Sequence, residues 1–360
     1  MNWVKNMKKK KKSKFSIFLI TIDVIALICF FLAYGPISYF RDLLVTTAMT
    51  TMNHRYFAYV LYSEDQVKEI LDNNRLIEPE EDTNSSEISF NSNFNADSYE
   101  SIYEEQILKK DENNDIYKIV NIKGSNWKGY MVVIYDPSDI QLVFASNYGK
   151  GGQYLSNLAK ENNALVAMNA SGVKTSVGKN PITGTAILNG KVYDTGKKIH
   201  KGGGLIGFTK DNVLMLTKKS AKEAIKDGMD RAVEFGPFLI VNGKGATFKG
   251  NGGWGIANRT AIAQRQDGIV LFVVIDGRQT GSIGISMPDL VKLFQKYGAY
   301  NAANLDGGGS SALYAKKTLT AKSGALLNNP VGYGYSGERR LPNAWMVLPS
   351  AIEKHKKAGE

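Results

Sequence analysis

Four stretches of the chain set polar side chains beside glycines at the ends of short apolar runs. VAMNASGV (166–173) ends on Asn169 and Ser171, and NRTAIAQ (258–264) begins on Arg259. VVIDGRQTGSIGIS (273–286) presents Asp276 and Arg278, and AANLDGGGSSALY (302–314) presents Asn304, Asp306, Gly307, Gly308, Gly309, Ser310 and Ser311. Strand ends are where a rigid sheet offers side chains to a ligand. Successive glycines let backbone N–H groups turn toward one anion. An acid beside such a nest suits a carboxylate reaction next to a phosphate-like charge. Taken singly each cluster has a plainer meaning: a DG after a strand is a turn, Arg259 pairs with a surface acid, and the glycines at 202–204 form a tight bend. Together they point to a carboxylate-using hydrolase or an anion-binding domain.

Other chemistries lack their residues. The chain has three histidines, His54, His200 and His355. Only His200 falls inside the glycine-rich part, and its KKIHKGGG setting reads as an exposed loop. A Ser–His–Asp hydrolase needs a histidine base and, on many folds, a G-x-S-x-G elbow, which is missing here. Zinc hydrolysis needs three protein ligands, commonly histidine-rich. The single cysteine, Cys29, lies in an apolar run, so the rest of the chain has no thiol for catalysis, zinc or disulfides. No phosphate-binding G-x-x-x-x-G-K or dinucleotide G-x-G-x-x-G motif follows a strand. What remains is work for carboxylates, arginines, amides and backbone N–H groups. No cofactor is required; a divalent ion held by the acids is compatible with the inventory, although no spacing demands one.

The elements that carry these residues occupy the back of the chain. The net charge of +11 is mostly a tail: residues 1–14 hold seven lysines and no acid, leaving 38 basic against 34 acidic side chains elsewhere. With no basic stripe interleaved with aromatics, nucleic acid is not an expected partner. Residues 15–40, FSIFLITIDVIALICFFLAYGPISYF, are interrupted only by Asp23, and about 20 apolar residues span a bilayer core. Lysines before the run place residues 1–14 in the cytoplasm and the remainder outside. A cleaved signal peptide would have a shorter apolar region and a small-x-small site, whereas this run ends in Ile37, Tyr39 and Phe40. Residues 41–77 have helical spacing, with a capping box at Ser63 and Gln66 dividing two helices, and read as a helical stalk. Residues 78–115 hold twelve acids against two lysines and read as a solvated acidic linker. Thirty-five of the 36 glycines lie at or after Gly124, so a different object starts there. Short apolar runs such as YMVVIYD, PFLIVNG and IVLFVVIDG, punctuated by Gly, Asn and Asp, predict strands and turns. Helical windows are expected at 153–162 and 287–297. The fold class is therefore α+β over 116–352, mainly antiparallel or mixed sheet with packed helices, followed by a charged tail at 353–360.

The order NASG, GPFLIVNG, NRTAIAQ, DGRQTGSIGIS, GAYNAANLDGGGSSALY and GERRLPNAWMV resembles the phosphodiester glycosidase domain family, the uncovering-enzyme-like proteins, over roughly 120–350. HRYFAYVLYS within 41–77 is similar to the region joining anchor and domain in bacterial, membrane-anchored members. The resemblance implies a carbohydrate phosphodiester substrate cleaved at the anomeric carbon. Carried over by motif, it implies catalytic roles for Asp306 and Asp276, one as nucleophile or base and the other as stabiliser, with Glu338 positioning the arginines or acting as the acid and Arg259, Arg278, Arg339 and Gly307–Gly309 holding the phosphate. Asn169, Asn304, Ser310 and Ser311 are candidate substrate contacts from their places at the strand ends. Asn169–Ala170–Ser171–Gly172 departs from the NGGF-like stretch of many members, and Glu234 stands where a small residue is frequent and receives no role. A non-catalytic wall-polymer-binding module and a phosphodiesterase cleaving P–O are the alternatives.

Overall fold

The computed structural model describes residues 2–50, 54–90, 98–173, 181–194, 202–332, 334 and 336–359, and His200 lies outside them. The chain divides into two compact units, residues 1–75 with 249–255, and residues 76–248 with 256–360.

The first unit is helical. Helix α1 (Asn2–Tyr34) contains a continuous apolar stretch, Lys14–Tyr34, long enough to cross a membrane. Helices α2 (Ser38–Met49), α3 (Arg55–Leu61) and α4 (Glu64–Asn73) follow. Ser63 and Gln66 form the expected reciprocal capping box at the start of α4. Val45, Ala48, Ala58, Tyr62, Val67 and Ile70 make a small apolar core between these helices.

The second unit is α+β, built on three antiparallel sheets. The largest runs Lys244–Gly245, Phe238–Val241, Ala299–Leu305, Arg259–Arg265, Val270–Ile275, Lys128–Ile134, Tyr117–Lys123. Its central strand Val270–Ile275 is buried on both faces, and Ile262, Phe272 and Ala303, paired across one face, join a core shared with the other sheets. A second sheet orders Ala325–Leu326, Leu313–Ala315, Val166–Asn169, Asn343–Val347, Ile140–Phe144, and a third pairs Met229–Phe235 between Thr185–Leu188 and Gly204–Thr209. The expected helical windows form as Leu155–Glu161 and Met287–Lys296, the latter with Pro288 in its first turn.

Two boundaries differ from the expectation. Among its described residues the acidic segment after Glu78 is packed at a few points while most of its acids stay exposed: Ile107 is fully buried, with Ile88 and Leu108 nearly so. One Glu78 carboxylate oxygen accepts the N–H groups of Gly203 (2.6 Å) and Phe238 (2.9 Å). One acid that composition assigns to solvent is matched here by donors distant in sequence. The charged tail is likewise part of a helix, Ser350–Gly359. Lys354 Nζ donates to Asp136, Ser138 and Asp139, and His355 Nε2 lies 2.8 Å from Asp139.

Candidate active site

Register alone gathers the sequence-distant clusters. Arg259 pairs with Ile275, and Thr260 with Leu305, so Arg259, Asp276 and Asp306 stand at the same edge of three neighbouring strands. The chain leaves that edge through Gly307–Ser311, crossing to the second sheet at Leu313. The crossing is pinned by amides and hydroxyls. Asn169 Nδ2 donates to the Asp306 carbonyl at 2.7 Å, while Asn169 Oδ1 accepts from Thr260 Oγ1 and the Ala312 N–H, both at 3.0 Å. Thr260 Oγ1 also reaches Ser311 Oγ at 3.2 Å. Asn169 and Ser311 are therefore the frame of the loop, fully occupied and buried.

The glycines are there because arginines and backbone crowd them. A Cβ on Gly307 would meet the Asn258 carbonyl at 2.9 Å and the Arg259 Cα at 3.6 Å. One on Gly308, whose φ is +59°, would lie 3.8 Å from Arg278 Nη1, and one on Gly309 only 2.9 Å from Arg339 Nη2. Three guanidinium-bearing residues thus surround three consecutive glycines. Arg259 is buried, and desolvation with the like charge of Arg278 lowers it to about 9, still cationic at neutral pH. Arg278 itself has φ +57°, a left-handed conformation uncommon outside glycine. Its loop is tied by Arg278 N–H to the Ile283 carbonyl and by a Gln279–Ser282 bridge.

Asp306 lies beside one of these cations, Arg339. Its carboxylate accepts from Ser310 and from the Val173 N–H and feels Arg339, whose Nη1 donates to Ser310 Oγ at 3.1 Å. Burial outweighs all three and pushes the acid up to about 6. A carboxyl poised there can exchange a proton near neutral pH.

The other two acids are placed differently. Asp276 is buried; its Oδ1 accepts the Asn329 N–H at 2.9 Å, and its carbonyl accepts from Ser282 Oγ at 2.6 Å. Desolvation raises its pKa while Asn329, Lys128, Asn328 and Gln279 oppose the shift. It braces the loop that carries Arg278. Glu338, expected either to position the arginines or to act as the acid, is bound at a helix start. It accepts Ser156 N–H (2.9 Å), Ser156 Oγ (2.6 Å) and Ser336 Oγ (2.9 Å), within the first turn of Leu155–Glu161. It fixes the segment bearing Arg339. Asn304 also turns inward, donating to the Gly236 carbonyl at 2.9 Å. Glu234, which the sequence left without a role, accepts the Thr185 N–H at 3.0 Å.

Among the described residues, Asp136, Asp139 and His355 are close enough to share an ion. The Lys354 ammonium already contacts both acids, at 2.6 and 2.7 Å.

Comparison with known proteins places the chain in a family. The family model for phosphodiester glycosidases matches residues 162–348. The SPbeta prophage-derived uncharacterized protein YomE of Bacillus subtilis (strain 168) is 32% identical over 181 residues, 48% of this chain and 26% of that protein, so the chain spans about a quarter of its relative's length. The fold is similar to the catalytic domain of zebrafish N-acetylglucosamine-1-phosphodiester alpha-N-acetylglucosaminidase, auto-inhibited by its pro-peptide. That likeness has a TM-score of 0.52 at 19% identity, over 66% of this chain and 85% of that one. With the family's match spanning over half of the chain, and the site clusters from Asn169 to Arg339 all inside it, the chain belongs to the phosphodiester glycosidase family.

Proposed function

We propose that this chain is a membrane-anchored, extracytoplasmic hydrolase that releases a sugar from a phosphodiester by breaking the anomeric carbon–oxygen bond. The observation that carries it is the approach of the Arg278 and Arg339 guanidinium groups to Gly308 and Gly309, with the Arg259 backbone against Gly307, beside the half-buried Asp306. Guanidinium forks match phosphate oxygens in shape and charge. A phosphate monoester is a good leaving group, its second pKa being about 6, so the reaction has little need of a strong general acid. That fits a site in which Asp306 stands beside Arg339 and Glu338 is committed to the helix start. Asp306 acts as nucleophile on the anomeric carbon, or as the base that takes a proton from the attacking water. The C–O electron pair leaves on the phosphate oxygen, and water supplies hydroxyl to the sugar. Asp276 steadies the Arg278 loop and adds negative potential against the oxocarbenium-like centre. No step is assigned to a cofactor.

The zebrafish enzyme's name gives an N-acetylglucosamine phosphodiester as its substrate, and the same class is proposed here, carried on a surface polymer of teichoic-acid or capsular type. The span Lys14–Tyr34, preceded by the lysine run, supports a cytoplasmic N-terminus and a domain outside the cell.

A panel of sugar-1-phosphodiesters tests the proposal. Asp306→Asn is expected to abolish turnover while leaving the fold and saturable binding in place. Hydrolysis in isotopically labelled water should put the label in the sugar; label in the phosphate would make the protein a phosphodiesterase, and binding without product would make it a polymer-binding module.

A further inference from the structure

The helices that follow α1 divide sharply by surface chemistry. Helix α4 carries Glu64, Asp65, Lys68, Glu69 and Asp72, the composition of a water-facing helix. Helices α2 and α3 carry only Arg41, Asp42 and Arg55, and Arg41 is paired with Asp42 at 2.9 Å. In their place stand exposed apolar side chains. On α3, Tyr56 is 55%, Phe57 48%, Tyr59 48% and Val60 75% exposed. Tyr39 and Phe40 at the start of α2 are exposed as well. These are not core residues that failed to pack, because α3 faces the unit's core through Ala58, followed by Tyr62.

Two hydrogen bonds fix where this surface sits along α1. Tyr62 Oη donates to the Ala33 carbonyl at 2.8 Å, and Tyr34 Oη donates to the Leu61 carbonyl at 2.9 Å. The two tyrosine rings lie 5.7 Å apart. The end of α3 is therefore clamped to the last turn of the apolar span. At about 1.5 Å per residue, a helix of this length reaches only about 10 Å from that point. The headgroup layer on each side of a bilayer is about 5–7 Å deep, so α3 begins or ends within a few Å of that layer, and its exposed rings are placed to lie along it. Aromatic side chains concentrate at that boundary, where an apolar ring and a polar edge are both satisfied.

We propose that α2 and α3 form an interfacial platform lying in the outer headgroup layer, with Tyr39, Phe40, Tyr56, Phe57, Tyr59 and Val60 embedded in lipid. Rather than a stalk lifting the chain off the membrane, the helical unit then lies flush against it. The inference rests on the proposal that α1 spans the bilayer, with which its apolar surface is continuous.

The test uses the full chain with Cys29→Ser and single cysteines placed by Val60→Cys, Lys68→Cys or Phe31→Cys, each carrying an environment-sensitive fluorophore. The protein is reconstituted in vesicles of phosphatidylcholine and phosphatidylglycerol. Quenching by acyl-brominated lipid is compared with quenching by aqueous iodide. The expected ratio of lipid to iodide quenching is several-fold higher at position 60 than at 68, and close to that at 31. Lipid quenching at 31 with iodide quenching at 60 equal to that at 68 would overturn the platform and leave the anchor standing. Loss of lipid quenching at 31 would overturn both. Shielding of position 60 from both quenchers, with cross-linked dimers, would assign the surface to a second copy of the chain instead.

Discussion

At the scale of single residues, Asp306 is set by a contest between burial and its neighbours. Desolvation raises the carboxyl to about 6 against the pull of Ser310, Arg339 and the Val173 N–H. As nucleophile or base it must be ionised, so kcat/KM should fall as pH drops through about 6. Arg339 favours the anion, and Arg339→Gln should therefore move that acid limb upward; a limb that stays in place would separate Arg339 from Asp306. The same shift has a sign for stability. The folded-state value lies above the usual carboxylate value near 4, so ionisation destabilises the fold, increasingly between pH 4 and 6 and fully above. Asp306→Asn should stabilise the protein at neutral pH by about 1–3 kcal/mol and by nothing below pH 4, measured by denaturant unfolding at both pH values. Equal stability of the two proteins at neutral pH would remove the desolvated anion from the account.

At the scale of elements, the Gly307–Gly309 turn places guanidinium groups by leaving space for them. Gly308 and Gly309 make separable predictions. Gly308→Ala puts a side chain at φ +59° with nothing closer than 3.8 Å, so the expected effect is about 1 kcal/mol of stability and little change in KM. Gly309→Ala has no left-handed φ to strain but would stand 2.9 Å from Arg339 Nη2 and 3.3 Å from its Cζ. Displacing one charged phosphate contact, worth about 1.5–3 kcal/mol, should raise KM by about 10–100-fold with kcat changed less. Steady-state kinetics with thermal melts of both variants would show whether the two effects separate. This turn was also the most legible part of the site. Arg259, Asp276 and Asp306 each follow or begin an apolar run ended by polar residues, and that pattern marks strand ends without any knowledge of the fold. Partner identity was not legible. Glu338 looks catalytic in GERRLPNA, yet its oxygens are taken by Ser156 and Ser336, and nothing local in sequence announces a helix start 182 residues away. Asn169 likewise reads as a ligand-facing amide and proves to hold the loop.

At the scale of the whole molecule, the segment 78–115 decides where the second unit begins. Composition made it a solvated linker, since twelve acids with few aliphatics cannot build a core. The fold supplies what the segment lacks. Glu78 pairs with Lys218 at 2.9 Å in addition to its two backbone donors, and Glu81 pairs with Lys244. Thr83 exchanges hydrogen bonds with Leu216, accepting its N–H on Oγ1 at 2.9 Å, and the Ser89 N–H reaches the Gln266 carbonyl at 2.8 Å. Ile88, Ile107 and Leu108 are buried, and burial of three such side chains contributes up to about 5–9 kcal/mol. That is comparable with the entire stability of a domain, about 5–15 kcal/mol. A chain starting at residue 116 should therefore fail to fold cooperatively, whereas one starting at 76 should give a single sharp melt followed by circular dichroism. Removing the segment also uncovers the Gly203 and Phe238 N–H groups that Glu78 satisfies. Indistinguishable melts for the two chains would return the segment to the role of a linker.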